Sequence, residues 1–225
     1  MPRTAAKASN GWMAATCTLG ILLCCALPVN AASVSIRVHK RDGKPLAGVV
    51  LTLAPDPQRL SPVAPVSTVV DQVDLSFIPD VVIIPVGSTV SFPNSDAVSH
   101  QVYSFSSARR FQLPLYRGKP YPPVMFDKPG LVTLGCNIHD NMLAYVVVTD
   151  APFFGRTDEH GEWTASNVPT GNYRVTVWHP LLNEPVPSLE RRIDVTSSDR
   201  TDLTWRLLHA LRPAPITSRP HSWEY

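Results

Sequence analysis

The chain has 225 residues, of which 44% are hydrophobic and 17% are charged. This composition provides enough apolar surface for a buried core and excludes a disordered polyelectrolyte. The 23 prolines, against 11 glycines, argue against long helices, because proline inside a helix removes a backbone donor and clashes with the preceding turn. We therefore expect one or two small domains rich in β-strands.

The N-terminal residues have the pattern of a secretory signal peptide. Arg3 and Lys7 precede a mostly apolar stretch, 12–27, and residues 29–31 offer the small side chains that a signal peptidase needs. The apolar stretch is shorter than the ~20 residues of a membrane-spanning helix, so an uncleaved anchor is the less favoured alternative. We expect cleavage of residues 1–31, export to the periplasm and no membrane span in the mature chain.

Removal of the signal peptide changes both the charge and the cysteine count. The net charge of +2 comes from 20 basic and 18 acidic residues, so the loss of Arg3 and Lys7 leaves the mature chain neutral. This neutrality gives no support to nucleic-acid binding. Of the four cysteines only Cys136 remains, so no internal disulfide can form. A single thiol in an oxidising compartment needs burial, metal ligation or a catalytic role.

The mature chain begins with a predicted β-hairpin. Residues 33–54 alternate apolar and polar side chains on either side of a turn at 42–45. The proline-rich piece 55–65 is interpreted as a connector.

The central segment, residues 66–150, has the pattern of short strands separated by turns. Strands are predicted at 74–78, 81–84, 89–93, 101–105, 131–135 and 143–149. Six short strands predict an antiparallel sandwich or barrel. The basic, turn-rich piece 108–123 is interpreted as a solvated loop, with a docking surface as the alternative.

Further strands follow residue 150, and the tail from Leu208 to the end, 208–225, is predicted to be disordered. Three motifs of the outer segments are GKPLAGV (43–49), TDEHGEW (157–163) and NVPTGNY (167–173). Together they resemble the carboxypeptidase regulatory-like, or transthyretin-like, β-sandwich family, in which the motifs lie much closer together. The resemblance implies an outer sandwich split into 33–60 and 152–207, with residues 67–150 inserted into one of its loops.

The residues that carry chemistry lie in the central segment. Cys136, His139 and Met142 fall within one short turn between two predicted strands, and His100 lies on an earlier strand. Two imidazoles, one thiolate and a thioether are the donors of a blue-copper centre. A short loop pinned by strands at both ends can hold these donors in nearly one geometry in both oxidation states, which favours electron transfer.

Residues 67–150 resemble the cupredoxins, the family of plastocyanin, pseudoazurin and amicyanin. The two-residue gap between His139 and Met142 is similar to the short amicyanin loop, and the turns PVGSTV (85–90) and DKPG (127–130) match the family's pattern. The resemblance implies an all-β Greek-key sandwich with one type 1 copper. His100, Cys136 and His139 would be its equatorial ligands, and Met142 would be its axial ligand.

Two positions depart from the family's usual residues. Gln101 follows the first histidine and Asn137 follows the cysteine, which bears on the potential and colour of the site more than on copper ligation. The other methionine of the mature chain, Met125, lies outside the loop and is interpreted as a packing residue. Each ligand also has a structural alternative: an inert buried thiol, a loop histidine or a core methionine.

The cupredoxin resemblance implies a one-electron carrier rather than an enzyme, with a dehydrogenase or a cytochrome as its redox partner. The ring edge of His139 would be the electron port, bordered by residues 113–115. Copper storage or delivery is an alternative, as is a structural or carbohydrate-facing β-sandwich without a redox role. A Cys136 nucleophile with His139 as its base is the least favoured reading, because the loop shows neither an orienting third group nor an oxyanion hole.

Overall fold

The computed structural model describes residues 31–58, 63–118, 120–184, 186–196 and 200–214. The expected signal peptide, 1–31, lies outside the described residues except for Ala31, and residues 215–225 of the expected tail also lie outside them. No helix in the described part of the chain is long and apolar enough to cross a membrane. The described residues form strands and one short 3₁₀ helix, Val186–Leu189, which confirms the all-β prediction.

The N-terminal segment forms two strands, β1 (Ala31–His39) and β2 (Val50–Pro55), that lie in different sheets. The predicted hairpin between them is therefore wrong. Both strands bury apolar side chains in the same core, Ile36 from β1 and Leu51 from β2 among them. Strands that face each other across one core cannot also share a ladder of hydrogen bonds, so residues 40–49 carry the chain from one sheet to the other.

The central segment forms a second sandwich. Its strands are, in chain order, β3 (Ser67–Val69), β4 (Asp71–Val73), β5 (Ser76–Ile78), β6 (Val81–Pro85), β7 (Ser88–Ser91), β8 (His100–Ser104), β9 (Phe111–Tyr116), β10 (Val124–Phe126), β11 (Gly130–Gly135) and β12 (Leu143–Thr149). One sheet has the order β6-β12-β11-β8-β9 and the other has the order β10-β7-β3, while β4 and β5 form a separate hairpin. The buried residues between the sheets, such as Phe92, Phe126 and Leu134, form the central core.

The C-terminal strands complete the first sandwich. They are β13 (Phe153–Arg156), β14 (Glu162–Pro169), β15 (Gly171–Trp178), β16 (Glu190–Val195) and β17 (Arg200–Arg206). One sheet has the order β14-β1-β17 and the other has the order β13-β2-β15-β16. Their facing side chains form the outer core, in which Val34 and Leu53 lie with Val175 and Trp205.

Parallel strand pairs occur in both sandwiches, which corrects the expectation of an antiparallel central fold. β6 pairs with β12 and β3 with β7 in parallel, and β1 pairs with β17 in the same way. Parallel neighbours cannot be joined by a tight turn, so the chain must leave and return between them. Alternating apolar residues predict a strand but do not predict the direction of its neighbour.

The basic piece 108–123 is not a continuous solvated loop. Its residues 111–116 form β9, which pairs with β8 at the edge of the five-stranded sheet. Tyr116 is buried, and Leu113 packs against the central core. Pro114 fits this strand because an edge strand has one side that forms no ladder, where a missing N–H costs little.

The beginning of the expected tail is held against the outer sandwich. The Arg212 N–H donates to the Leu181 carbonyl at 2.8 Å, and Leu211 packs against the outer core. The expected disorder from Leu208 is therefore corrected for residues 208–214. Their contacts are with residues distant in sequence, so the composition of the segment itself does not predict them.

The two cores draw on different parts of the sequence. The outer core contains residues from 32–53 and 165–207, and the central core contains residues from 70 to 148. β2 pairs with β13, so the chain leaves and re-enters the outer sandwich on neighbouring strands. The domain division stays a prediction. It assigns 33–60 and 152–207 to one independently folding domain and 67–150 to another.

Candidate metal centre

Neighbouring strands bring three predicted ligands together at one end of the central sandwich. His100 is the first residue of β8, and Cys136 directly follows β11, which pairs with β8 through Gly135 and Tyr103. His139 lies in the turn that joins β11 to β12. The sheet therefore fixes both the strand that holds His100 and the two ends of the loop that holds the other donors.

The donor atoms converge. His100 Nδ1 lies 3.1 Å from His139 Nδ1, while Cys136 Sγ lies 3.9 Å from His100 Nδ1 and 3.6 Å from His139 Nδ1. In the part of the chain that the structure describes, these three residues are the group of histidine, cysteine and acidic side chains that could hold a metal ion.

The separations fit a shared ion. Protein nitrogen and sulfur ligands lie roughly 2.0–2.3 Å from a borderline metal ion, so a nitrogen and a nitrogen or sulfur donor at trigonal or tetrahedral angles around it are about 3.3–3.8 Å apart. The observed distances of 3.1, 3.6 and 3.9 Å lie close to this range. A thiolate with two imidazoles is a soft, nitrogen-containing donor set that suits copper.

The three residues of the cluster differ in exposure. His100 is fully buried and Cys136 is 4% exposed, whereas His139 is only partly buried. Burial protects the Cys136 thiol from oxidation, and the partly exposed imidazole is the group of the cluster that reaches solvent.

A backbone donor supports the cysteine. The Gln101 N–H points to Cys136 Sγ at 3.5 Å. Because the donor is an amide of the main chain, the unusual side chain at position 101 does not remove it. A hydrogen bond to sulfur stabilises negative charge on the thiolate.

Met142 lies in the same loop, with its side chain in the central core. It is 2% exposed, and its N–H donates to the His139 carbonyl at 3.0 Å. Its assignment as axial ligand stays a prediction. Met125, by contrast, is 52% exposed on β10, so it does not have the packing role expected for it.

Sequence reasoning missed Asp96, which holds the other nitrogen of the His100 ring. His100 Nε2 lies 2.9 Å from Asp96 Oδ2. Partial burial raises the pKa of Asp96, but hydrogen bonds from the Leu75 N–H, the His100 ring and the Ala97 N–H outweigh this effect and lower the pKa below its usual value. The spacing of four residues between Asp96 and His100 was the available signal, but it is meaningful only once the loop geometry is known.

Apolar side chains are exposed on residues 136–142, which we call the ligand loop, and on β9. Ile138 is 52% exposed and Leu115 is 55% exposed, while Leu113 is half-buried against the central core.

Four other histidines that the structure describes lie outside the group of residues that could hold a metal ion: His39, His160, His179 and His209. His221 lies outside the described residues.

No protein-family model matches the chain, and no curated protein matches it. Solved structures do match. A Cu-containing nitrite reductase from Thermus scotoductus SA-01 is 32% identical, with a TM-score of 0.34, over 41% of this chain and 24% of its own. A purple cupredoxin from Nitrosopumilus maritimus is 22% identical, with a TM-score of 0.33, over 36% of this chain and 99% of its own.

A reduced mutant form of amicyanin is 23% identical, with a TM-score of 0.35, over 44% of this chain and 98% of its own. The chain thus spans about a quarter of the nitrite reductase (24%) and nearly all of the amicyanin (98%). The structural neighbours are cupredoxins and a copper enzyme, each matched over less than half of this chain. Their TM-scores are low, so the function proposed below is supported by the geometry of the site. The resemblance of the outer segments to the carboxypeptidase regulatory-like sandwich stays a prediction.

Proposed function

We propose that the mature chain is a periplasmic protein that binds one type 1 copper ion and carries single electrons between a donor and an acceptor. The observation that carries this proposal is the convergence of one buried thiol and two imidazoles, with donor separations of 3.1–3.9 Å. Copper bound there would supply a one-electron couple, Cu(II)/Cu(I).

The chain's own residues keep the site's geometry constant. His100 is held by its strand and by Asp96, while the ligand loop is held by β11, by β12 and by the turn hydrogen bond from Met142 to His139. A site that is assembled by the fold needs little rearrangement when its charge changes by one unit. An electron carrier requires that its metal ligands rearrange little between oxidation states, whereas a hydrolytic site has no such requirement.

The exposed side of the site suits transient contact with a redox protein. His139 is the partly exposed donor, and Ile138 beside it in sequence is 52% exposed. We propose that the His139 ring edge is the port for electrons and that a dehydrogenase or a cytochrome docks there. An apolar patch at the centre of such an interface allows a partner to exclude water without strong, slowly dissociating salt bridges.

Redox cycling of the copper-loaded mature protein tests this function. We expect reversible one-electron voltammetry, with copper retained through repeated reduction and oxidation in the presence of a Cu(I) chelator. The Cys136→Ser variant, which keeps the size of the side chain but lacks the thiolate, is the matched control and should lose the signal.

Two results would contradict the proposal. Loss of Cu(I) to the chelator at each reduction would favour storage or delivery of copper. A redox wave that is the same in the Cys136→Ser variant would show that copper binds elsewhere.

A further inference from the structure

A carboxylate lies on the side of His100 that faces away from the other ligands. His100 Nδ1 faces His139 and Cys136, while Nε2 lies 2.9 Å from Asp96 Oδ2, and the two side chains are 0% and 12% exposed. A ring whose Nδ1 binds a metal keeps its proton on Nε2, so His100 donates this hydrogen bond and Asp96 accepts it.

The carboxylate is itself held by main-chain donors. The Leu75 N–H donates to the same Oδ2 at 2.8 Å, and the Ala97 N–H donates to Oδ1 at 2.7 Å. The Asp96 N–H donates to Asn94 Oδ1 at 3.0 Å, which fixes the backbone of the loop. Asp96 therefore has little freedom to rotate away from the His100 ring.

The β4–β5 hairpin supplies the most distant of these contacts. Its turn residues Asp74 and Leu75 have φ values of 48° and 57°, the left-handed conformation that a two-residue hairpin turn needs. Leucine is unfavourable in that conformation, yet here it presents its N–H to Asp96. Asp71 of β4 accepts hydrogen bonds from the N–H and the hydroxyl of Ser95 at 3.2 and 2.7 Å.

We infer that Asp96 is a positioning residue that fixes the orientation and the proton of the His100 ring and increases the electron density on Nδ1, so that the site favours Cu(II) over Cu(I). This inference rests on the proposed copper function. The β4–β5 hairpin then positions His100 indirectly, because Leu75 contacts the Asp96 carboxylate and Asp71 contacts the neighbouring residue of its loop.

The Asp96→Asn variant tests this role at one fixed pH. It keeps a hydrogen-bond acceptor of the same size but removes the negative charge. Asp140→Asn is the matched control, since Asp140 is exposed beside His139 and has the same charge without holding His100. Three quantities are measured for each protein: Cu(II) affinity by chelator competition, the reduction potential, and exchange of the His100 Nε2 proton by NMR of the diamagnetic Cu(I) form.

We expect Asp96→Asn to weaken Cu(II) binding about 10- to 100-fold, the usual effect of losing a partner that orients a metal ligand. If Cu(I) affinity is unchanged, the potential rises by about 59 mV for each tenfold loss. The Nε2 proton should exchange faster than in the unmodified protein. Asp140→Asn should change the affinity less than about threefold, because an exposed charge is screened by solvent.

Equal effects of Asp96→Asn and Asp140→Asn, in a protein that binds copper, would overturn the inference and leave the proposed function standing. Failure of the unmodified protein to bind copper would overturn both. If Asp96→Asn does not fold, Asp71→Asn weakens the contact between the β4–β5 hairpin and the Asp96 loop without altering His100 or Asp96. We expect it to shift the potential in the same direction by a smaller amount, and an unchanged potential would overturn the inference.

Discussion

At the scale of single residues, the candidate site combines a local contact with long-range ones. Cys136 and His139 lie three positions apart in one turn, and the fold brings His100 to them. On the other side of the His100 ring, His100 Nε2 and the Leu75 N–H both point at Asp96.

The roles of the two sulfur residues can be separated by substitution. We predict that Met142→Leu, which preserves the buried apolar volume, retains copper and raises the reduction potential, because loss of a weak axial donor destabilises Cu(II) more than Cu(I). Cys136→Ser should abolish the visible absorption, because the thiolate supplies the charge-transfer transition. Potentiometry and absorption spectra of both variants check this prediction.

Two other results for Met142→Leu would contradict the axial role of Met142. If Met142→Leu lost copper as completely as Cys136→Ser, the side chain would be a principal ligand rather than a weak axial one. A potential identical to that of the unmodified protein would show that Met142 only fills the central core.

The sequence predicts part of this arrangement. The proximity of Cys136 and His139 follows from their spacing of three residues in one turn, and the structure places His100 beside them. The contact of Asp96 with His100 could not be predicted, because an aspartate in a loop is usually solvated and only the fold places the His100 ring and the Leu75 N–H against it.

At the scale of secondary-structure elements, alternation of side chains predicted strands but not their partners. The expected strands at 131–135 and 143–149 closely match β11 and β12. β9 was missed, because arginines and a proline in and around it resemble a loop, and only pairing with β8 makes this edge strand stable. β1 and β2 were wrongly paired, because a hairpin and two facing strands have the same alternating pattern.

The segment after β17 provides a test at this scale. The Glu184 side chain is 2% exposed, and it accepts hydrogen bonds from the His209 N–H at 2.7 Å and from Ser188 Oγ at 3.3 Å. Partial burial raises the pKa of Glu184, but hydrogen bonds from the backbone and ring of His209 and from the Leu208 N–H outweigh it and lower the pKa. Glu184 thereby fastens residues 208 and 209 to the outer sandwich.

Because this pKa is lowered on folding, the ionised Glu184 stabilises the fold above the usual carboxylate pKa of ~4.3, and the contribution is lost as pH falls through the lowered value. We predict that Glu184→Gln lowers the free energy of unfolding by about 1.5–3 kcal/mol near neutral pH, the range for hydrogen bonds to charged groups. The difference between variant and unmodified protein should shrink below about pH 4. Urea unfolding across this pH range measures it. A difference that is constant with pH would contradict the role of the charge.

At the scale of the whole molecule, the described residues form two separate cores that are joined by the connecting chain and by side-chain contacts. β2 and β13 are adjacent antiparallel strands, and Gln58 Nε2 donates to Asp150 Oδ2 at 2.6 Å where the chain passes between the sandwiches. The sandwiches also touch through the rings of Tyr145 and Trp178, whose centres are 5.0 Å apart. The outer strands 33–55 and 153–206 bury their apolar faces on one another, whereas the central segment buries its own.

We therefore predict that deleting residues 67–150 and closing the gap with a short Gly/Ser linker leaves a folded outer sandwich that does not bind copper. The linker needs to span only neighbouring strands, as a hairpin loop does. The excised segment 67–150 should fold alone and bind the metal. Circular dichroism and NMR of both pieces check this prediction. A disordered outer piece beside a folded central piece would show that the split sandwich is not an independent domain.

The proposed function depends on the binding of one copper ion by the thiolate of Cys136 together with His100 and His139. The most direct test is a combined visible and EPR spectrum of a protein comprising residues 32–225 after addition of one equivalent of Cu(II). We expect an intense visible thiolate-to-copper band and a narrow copper hyperfine splitting, both absent in Cys136→Ser. A colourless protein whose Cys136 reacts with thiol reagents as readily as before copper addition would show that copper is not bound by Cys136.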